Sequence, residues 1–575
     1  MPRRRLLLGV VMAAALLVAG RALSAAYADY TWYRAMGATA LWNERAIDLS
    51  LIYGIGLGVS FAIALANFST LARSIGALTL PRRLANVEFG EAVPRRYLDR
   101  FAIALSLGVA GILTPLLPSW TSLAVLRRGV AFHERDPYFH HDLAFYTTWL
   151  PFEKGLYTWV IFLVVTIALF VIALYSLTPG LRWDRTGLRM STLVRRHLSV
   201  LAAVILLLTM WSYRLASYDL LIQTGGESGF SYIDHQWLLP GLLILSIATA
   251  AAAATMLFSG WTGQLRTSFI AVTGVVILSI AVQEVVPLIV QKFTAADAMV
   301  LSERPYAAMR AEFTQRAYDV PVTTREATLG SVFPPTDTAQ PTIEERPSLR
   351  QDSLVYPGAA GLLVVSEPQL DVAGQRLGAG LSRAAYAWAY QSLALLSDSV
   401  PPRGRIVTVR DVRRRVEALA PVFAPGNTAS PLFHADTLYW KLELYSASSD
   451  YPLSEARSFG GTERSYFRHA ATALVNARTA RVSFAPVSNP DPIAREWMHA
   501  FPHSADHRAA AILRGLTATP WNPADPQMPG ASDDLTFRER VTRLYNSMRA
   551  SLAAGNLSAF SAAYDSLGAL IGPPR

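Results

Sequence analysis

The run FIAVTGVVILSIAVQEVVPLIV, Phe269 to Val290, is followed at once by Gln291-Lys292-Phe293 and then by Glu303-Arg304-Pro305-Tyr306. As a helix rising about 1.5 Å per residue, such a run is long enough to cross a hydrocarbon core of about 30 Å. Several comparable runs precede it, and none follows it in residues 291–575. A half suited to a bilayer therefore hands over here to a half suited to water.

The preceding runs are 6–26, 49–68, 101–120, 156–177, 197–214 and 237–258. With 269–290 they predict about seven transmembrane helices over residues 1–290. Composition agrees: only 16% of residues are charged, against about 25% in ordinary soluble domains. The first run has Arg3-Arg4-Arg5 ahead of it and Ser24-Ala25-Ala26 behind. It reads as a signal peptide or, by preference, a retained signal anchor.

Arginine placement orients the bundle, because cytoplasmic loops carry the excess of basic residues. With the N-terminus inside, the inner segments hold Arg3 to Arg5, Arg73, Arg82, Arg83, Arg95, Arg96, Arg100, Arg182, Arg185, Arg189, Arg195, Arg196 and Arg266 against four acidic residues. The outer segments hold eight basic and eleven acidic residues, counting Glu284. The soluble half is then extracytoplasmic, in a multi-pass protein of the inner or plasma membrane.

The net charge of +10 is mostly this topology signal, since residues 291–575 hold 29 basic and 27 acidic residues. Nucleic-acid binding, which needs a clustered basic patch, is excluded as a reading. The absence of cysteine excludes disulfides, thiolate nucleophiles and cysteine-ligated metals.

In the soluble half, residues 291–320 predict a joint helix and 321–357, rich in Thr, Pro and Glu, a linker. Residues 358–575 predict a mixed α/β domain. Its expected strands are 362–366, 405–410, 431–446 and 481–485. Its expected helices are 411–420 with Asp411 as N-cap, 466–477, 493–501 and 506–516, and a helical hairpin of 535–554 and 558–571 closes it. The fold class is thus a membrane protein with an N-terminal bundle of about seven helices and a C-terminal extracytoplasmic α/β domain.

Several stretches together carry a resemblance. They are Tyr27-Ala28-Asp29-Tyr30-Thr31-Trp32-Tyr33; Asp136-Pro137-Tyr138-Phe139 with Asp142 and Phe145-Tyr146 ahead of Leu150-Pro151-Phe152; and Ser231-Tyr232-Ile233-Asp234 running to Pro240. Further on come Glu303-Arg304-Pro305-Tyr306 with Arg316-Ala317-Tyr318, then Arg405 to Pro421, Asp450-Tyr451-Pro452, Tyr466 to Ala477, and Asp491-Pro492 to Phe501-Pro502. In this order they resemble uncharacterised protein family 0182, bacterial and archaeal integral membrane proteins. The resemblance implies about seven N-terminal spans and a large extracytoplasmic C-terminal region, and it carries no biochemical activity. This chain departs from the family pattern in two places. The region between the Arg-Ala-Tyr and Arg405 segments is much shorter, and Gln236 stands where the family often has histidine, with His235 one position earlier.

Candidate functional residues are few. Glu284 is the one acidic residue inside an assigned span, and intramembrane carboxylates often mark ion or proton paths. Asp136, Asp142 and Asp234 are the polar residues of the outer segments that an extracytoplasmic enzyme would use. His133, His140 and His141 stand near the first two, but Pro137 falls where a zinc-binding helix needs its second histidine. The group reads as turn formers and interfacial anchors, not a metal site. His499, His503 and His507 are four apart, with Pro502 interrupting the helix that would align them. Gly-x-Ser-x-Gly, Ser-x-x-Lys and His-Glu-x-x-His are all absent, so no catalytic residue and no cofactor is assigned. The expectation is a non-enzymatic envelope assembly, maintenance or lipid-handling protein, its partners being the bilayer and envelope proteins or lipids. The alternatives are a transporter or channel component using Glu284, and a membrane-bound extracytoplasmic enzyme.

Overall fold

A computed structural model describes residues 2–76, 83–84, 87–88, 95–178, 180–184, 187–222, 229–319, 353–366, 371–398, 400–401, 403–434, 437–459, 461–501, 509–513 and 546–547. Most of the expected linker and the closing helical hairpin lie outside these residues, and residues 514–575 form a unit separate from 1–513.

The first half is helical: α1 (Pro2–Ala35), α2 (Thr39–Gly76), α3 (Arg95–Leu113), α4 (Trp120–Arg127), α5 (Leu150–Ser176), α6 (Thr192–Ile222), α7 (Leu239–Thr262), α8 (Leu265–Ile280), α9 (Val286–Phe293) and α10 (Ala296–Tyr318). Six helical stretches among the described residues are long and apolar enough to cross a membrane: Thr39–Ser74, Arg95–Leu116, Phe145–Ser176, Thr192–Ile222, Asp234–Thr262 and Leu265–Phe293. They carry six of the seven expected spans, and the seventh, 6–26, lies in α1. Phe162, Leu169 and Ile172 of α5, Leu243, Ile244 and Ile247 of α7, and Phe269, Ile270 and Ile277 of α8 all face outward. Exposed apolar belts of this kind suit lipid and not water.

Three of these stretches contain a π-helical turn, at Phe145–Trp149, Asp234–Leu238 and Ala281–Val285. Each stands just ahead of a proline, namely Pro151, Pro240 and Pro287. A proline ring clashes with the carbonyl four residues back and has no N–H to give it. Here the residue before each proline, Leu150, Leu239 or Val286, donates instead to the carbonyl five back. The widened turn makes room for the ring while the helix continues.

Among the described residues the second half has two larger sheets, a two-stranded ribbon of Arg457–Phe459 with Thr462–Arg464, and three short α-helices. Strands β1 (Leu363–Val365), β2 (Gln375–Arg376) and β3 (Arg405–Val407) form an antiparallel sheet with β3 central. Strands β4 (Phe423–His434), β5 (Thr437–Ser448), β6 (Tyr466–Asn476) and β7 (Val482–Pro486) form a second, ordered β7-β6-β5-β4. The helices are α11 (Leu381–Tyr390), α12 (Val412–Leu419) and α13 (Pro492–Ala500). Asp411 caps α12 as expected, accepting from the Arg414 N–H at 2.9 Å.

Several expectations are corrected. Residues 466–477 form strand β6, not a helix. The segment is alanine-rich, but it pairs with β5 on one side and β7 on the other, and Ala470 to Val475 are buried. A strand covered on both faces reads as a continuous apolar run without alternation. The single strand expected at 431–446 is a hairpin of β4 and β5. The joint helix is interrupted between α9 and α10, where Thr294 and Ala295 are extended. The span 101–120 ends near Leu116, ahead of Pro118.

The core of the second half is not built from that half alone. Trp440, Leu442, Val475, Phe484, Val412, Val416 and Trp497 pack in one cluster with Trp32 and Tyr33 of α1, Ala38, and Leu41 of α2. The turn between the first two helices is thus part of the α/β core.

Between α6 and α7 the spacing is set by Gly260, whose added Cβ would lie 2.5 Å from the Ser199 Cβ. Gly260→Leu is expected to lower stability by about 1–3 kcal/mol through overpacking. Gly54→Ala, in open space on α2, should leave it unchanged or slightly higher. Thermal unfolding of the detergent-purified protein checks both.

Candidate functional site

The α10 helix, which follows the break, is fastened to the bundle and to the second half. Glu303 accepts from the Tyr232 N–H at 2.9 Å and from Arg310 at 2.7 Å, and Arg310 also donates to the Phe230 carbonyl at 2.6 Å. The Tyr306 hydroxyl bonds His235 Nδ1 at 2.8 Å. Farther along, the Thr314 hydroxyl accepts from the Glu455 N–H, Tyr318 donates to the Glu455 carbonyl at 2.9 Å, and Arg468 pairs with Asp319 at 2.7 Å. Lys154, at the start of α5, bridges Asp219 of α6 and Asp450. The segments expected on one side of the membrane are thereby the ones that meet the α/β half.

The proposed aspartates belong to this fastening. Asp136 is buried and accepts from the N–H groups of Tyr138, Phe139 and His141 at 2.9, 2.5 and 2.8 Å. Asp142 accepts from Phe132, His133 and Ala144 at 3.0, 2.9 and 2.8 Å. Asp234 forms a reciprocal cap with Ser231, the capping-box arrangement. Their oxygens hold backbone in place. Around them pack Tyr138, Phe139, Phe145, Tyr218, Phe230 and Tyr306. Burial, with Tyr306 and Glu303 nearby, pushes the Tyr138 phenol up to about 12. Among the described residues no three metal-ligating side chains are grouped to hold an ion.

Glu284 lies in the third π-helical turn, exposed and without an ion-pair partner among the described residues. Among the carboxylates buried within the apolar helical stretches, alongside Asp48 of α2 and Asp234, is Glu153. It accepts from the indole N–H groups of Trp149 and Trp211, both at 2.8 Å, and pairs with Arg214. Sequence reading placed the start of that span at 156, so Glu153 fell outside it. His503 and His507 lie outside the described residues, and His499 ends α13.

A large concavity lies elsewhere. A cleft of about 920 Å³ is lined by Ala25, Ala28, Asp29, Trp32, Tyr33 and Arg45 on one wall, and by Gly358 to Leu362, Thr408 to Asp411, Arg414 and Ala418 on the other. Asp136, Asp142, Asp234 and Glu284 do not line it. Its first wall is the Tyr27 to Tyr33 segment and its second includes the Arg405 to Pro421 segment, so two stretches far apart in sequence face each other. Asp29 is held by Arg45 at 3.0 Å and the Trp42 indole at 3.1 Å. Arg45 also reaches the Tyr33 hydroxyl at 3.2 Å.

The second wall has an unusual backbone. Val409 has φ +48°, a left-handed conformation that a β-branched residue rarely adopts. Arg415 holds it there. This side chain is fully buried and donates to the carbonyls of Thr408, Val409 and Ala480 at 2.8, 3.0 and 3.0 Å. Its guanidinium also lies over the Trp32 ring, 5.8 Å from the centroid. Burial pulls its pKa down to about 10, so it remains charged at neutral pH.

The fold and cleft define a class: a chain with six helical stretches, among its described residues, apolar enough for a membrane, carrying an α/β region whose core includes the turn between the first two helices. The chain belongs to the uncharacterised protein family UPF0182, whose family model matches residues 6–347 and 370–512. A UPF0182 protein of Geobacter sulfurreducens is 29% identical over 340 residues, 56% of this chain and 36% of that protein. One from Frankia casuarinae is 22% identical over 637 positions, covering 83% of this chain and 61% of that protein. One from Mycobacterium tuberculosis is 29% identical over 315 residues, 53% of this chain and 32% of that protein. The matched part of this chain thus spans about a third to three-fifths of the length of these relatives. No solved structure matches the chain.

Arg415→Met should lower stability by about 3 kcal/mol, because buried carbonyls lose their donors. Arg415→Lys should recover only part of this, since an ammonium does not span three carbonyls. Urea unfolding followed by tryptophan fluorescence gives both values.

Proposed function

We propose that the protein is a multi-pass protein of the cell membrane, N-terminus cytoplasmic and α/β domain outside, that serves envelope assembly, maintenance or lipid handling without catalysing a reaction. The observation that carries this reading is the cleft. It is formed by a helix rising from the first apolar run and by the α/β half, and aromatic, small apolar, arginine and aspartate side chains line it. Binding sites for small molecules commonly occupy roughly 300–1,000 Å³ and combine apolar walls with a few polar groups. The arginine distribution supports the orientation. Engagement of Asp136, Asp142 and Asp234 by backbone N–H groups takes support from the enzyme reading. The exposed position of Glu284 does the same for the transporter reading.

A reporter fused after Asp319 should act outside the cytoplasm; activity on the cytoplasmic side overturns the orientation. Protein extracted from its native membrane should carry lipid that survives gentle purification, and Ala25→Trp, which fills the exposed edge of the cleft, should deplete it. Equal lipid in both preparations, read by native mass spectrometry, removes the cleft from the proposal.

A further inference from the structure

The cleft has a direction and a charge that narrow its occupant. On α1 the lining residues Ala25, Ala28, Asp29 and Trp32 share one helical face. That face continues toward the N-terminus through Ala22 and Val18, and Val18 is 70% exposed. Arg21, on the same side, donates to the Trp388 carbonyl at 2.9 Å. An apolar track therefore runs from the expected first span to the cleft, with a basic residue beside it.

Within the cleft the charges do not balance. Arg45 is paired with Asp29. The Asp411 oxygens accept from the N–H groups of Gly358 and Arg414. Arg410 donates to the carbonyls of Leu354 and Ala360 at 2.8 and 3.2 Å and lies over the Tyr356 ring. The Arg414 side chain is exposed and has no partner among the described residues. Three arginines thus face two carboxylates, and the Arg414 cation is left without a partner among the described residues.

We propose that the cleft binds an amphiphile with an anionic, phosphate-bearing headgroup, the headgroup on Arg414 and Arg410 and an acyl portion along Ala25, Ala28 and the α1 track. This rests on the lipid-handling reading above and adds the ligand class. Arginine suits the headgroup because its planar donors match phosphate oxygens. The apolar wall gives the chain a continuous path out of the bilayer, so the occupant enters sideways from the membrane.

The test titrates the purified full-length protein, in a neutral detergent, with short-chain phosphatidylglycerol, short-chain phosphatidylcholine and inorganic phosphate. Fluorescence of Trp32 and Trp120, both in the cleft lining, reports occupancy. Phosphatidylglycerol should bind saturably and more tightly than phosphatidylcholine, and Arg414→Glu should weaken it about ten-fold or more, as loss and reversal of a charge-assisted contact requires. Ala25→Trp should weaken both lipids. Equal binding of the two lipids, unchanged by Arg414→Glu but lost in Ala25→Trp, overturns the anionic headgroup and leaves the lipid-handling reading standing. Lipid binding unaffected by either variant overturns both. Inorganic phosphate binding as tightly as phosphatidylglycerol makes the ligand a free anion and overturns the amphiphile.

Discussion

A charge buried without a counter-ion governs the middle of this protein. Arg415 has no carboxylate partner among the described residues; carbonyls and the face of Trp32 solvate it. Transferring an unpaired cation from water is costly unless nearly every donor finds an acceptor. The acceptors must therefore stay in place, and that demand holds Val409 in a conformation its side chain disfavours. Strain of this kind persists where the surroundings over-determine it. Because Trp32 belongs to α1 and Ala480 to the turn after β6, the same guanidinium ties the first helix to the far sheet.

The other fastening works through backbone donors. Asp136, Asp142 and Asp234 gather N–H groups that short loops leave without partners, and α10 then lies against the loops so formed. Glu303, Tyr306 and Arg310 meet the 230–235 segment, while Thr314, Tyr318 and Asp319 meet the 455–468 segment. The break at Thr294-Ala295 lets this helix take its own direction after the last apolar run. Two independent clamps, one at α1 and one at α10, thus hold the α/β half at both ends of the helical half.

Much of this was legible in the sequence, unevenly. Apolar run length located the helices, since nothing else in a chain needs about twenty apolar residues in a row. Asp411 as a cap and α13 after Asp491-Pro492 followed from local rules that tertiary contacts did not override. β6 was missed because a doubly covered strand rich in alanine shows no period of two. Glu153 was missed because a polar residue near the end of a run moves the estimated boundary past itself. The cleft was invisible in outline, yet both walls were already on view as Tyr27 to Tyr33 and Arg405 to Pro421. What sequence lacks is the distance between them: roughly four hundred residues apart in the chain, they are brought together by Arg415, a residue whose burial no local pattern announces.

The position of the cleft also bears on why α1 is long. Its apolar run would be satisfied by the bilayer alone, but the helix continues without interruption to Ala35 and places Trp32 and Tyr33 in the α/β core. Its C-terminal end packs into that core, and Arg21 and the Ala28 carbonyl are hydrogen-bonded to the second half, so the wall it lends to the cleft is held in place. The opposite wall is equally fixed by the Arg415 clamp. A preformed site of this sort loses less conformational entropy on binding than one that must be assembled. Selection among ligands then falls to charge and to the route of entry, the two properties in which this cleft is asymmetric.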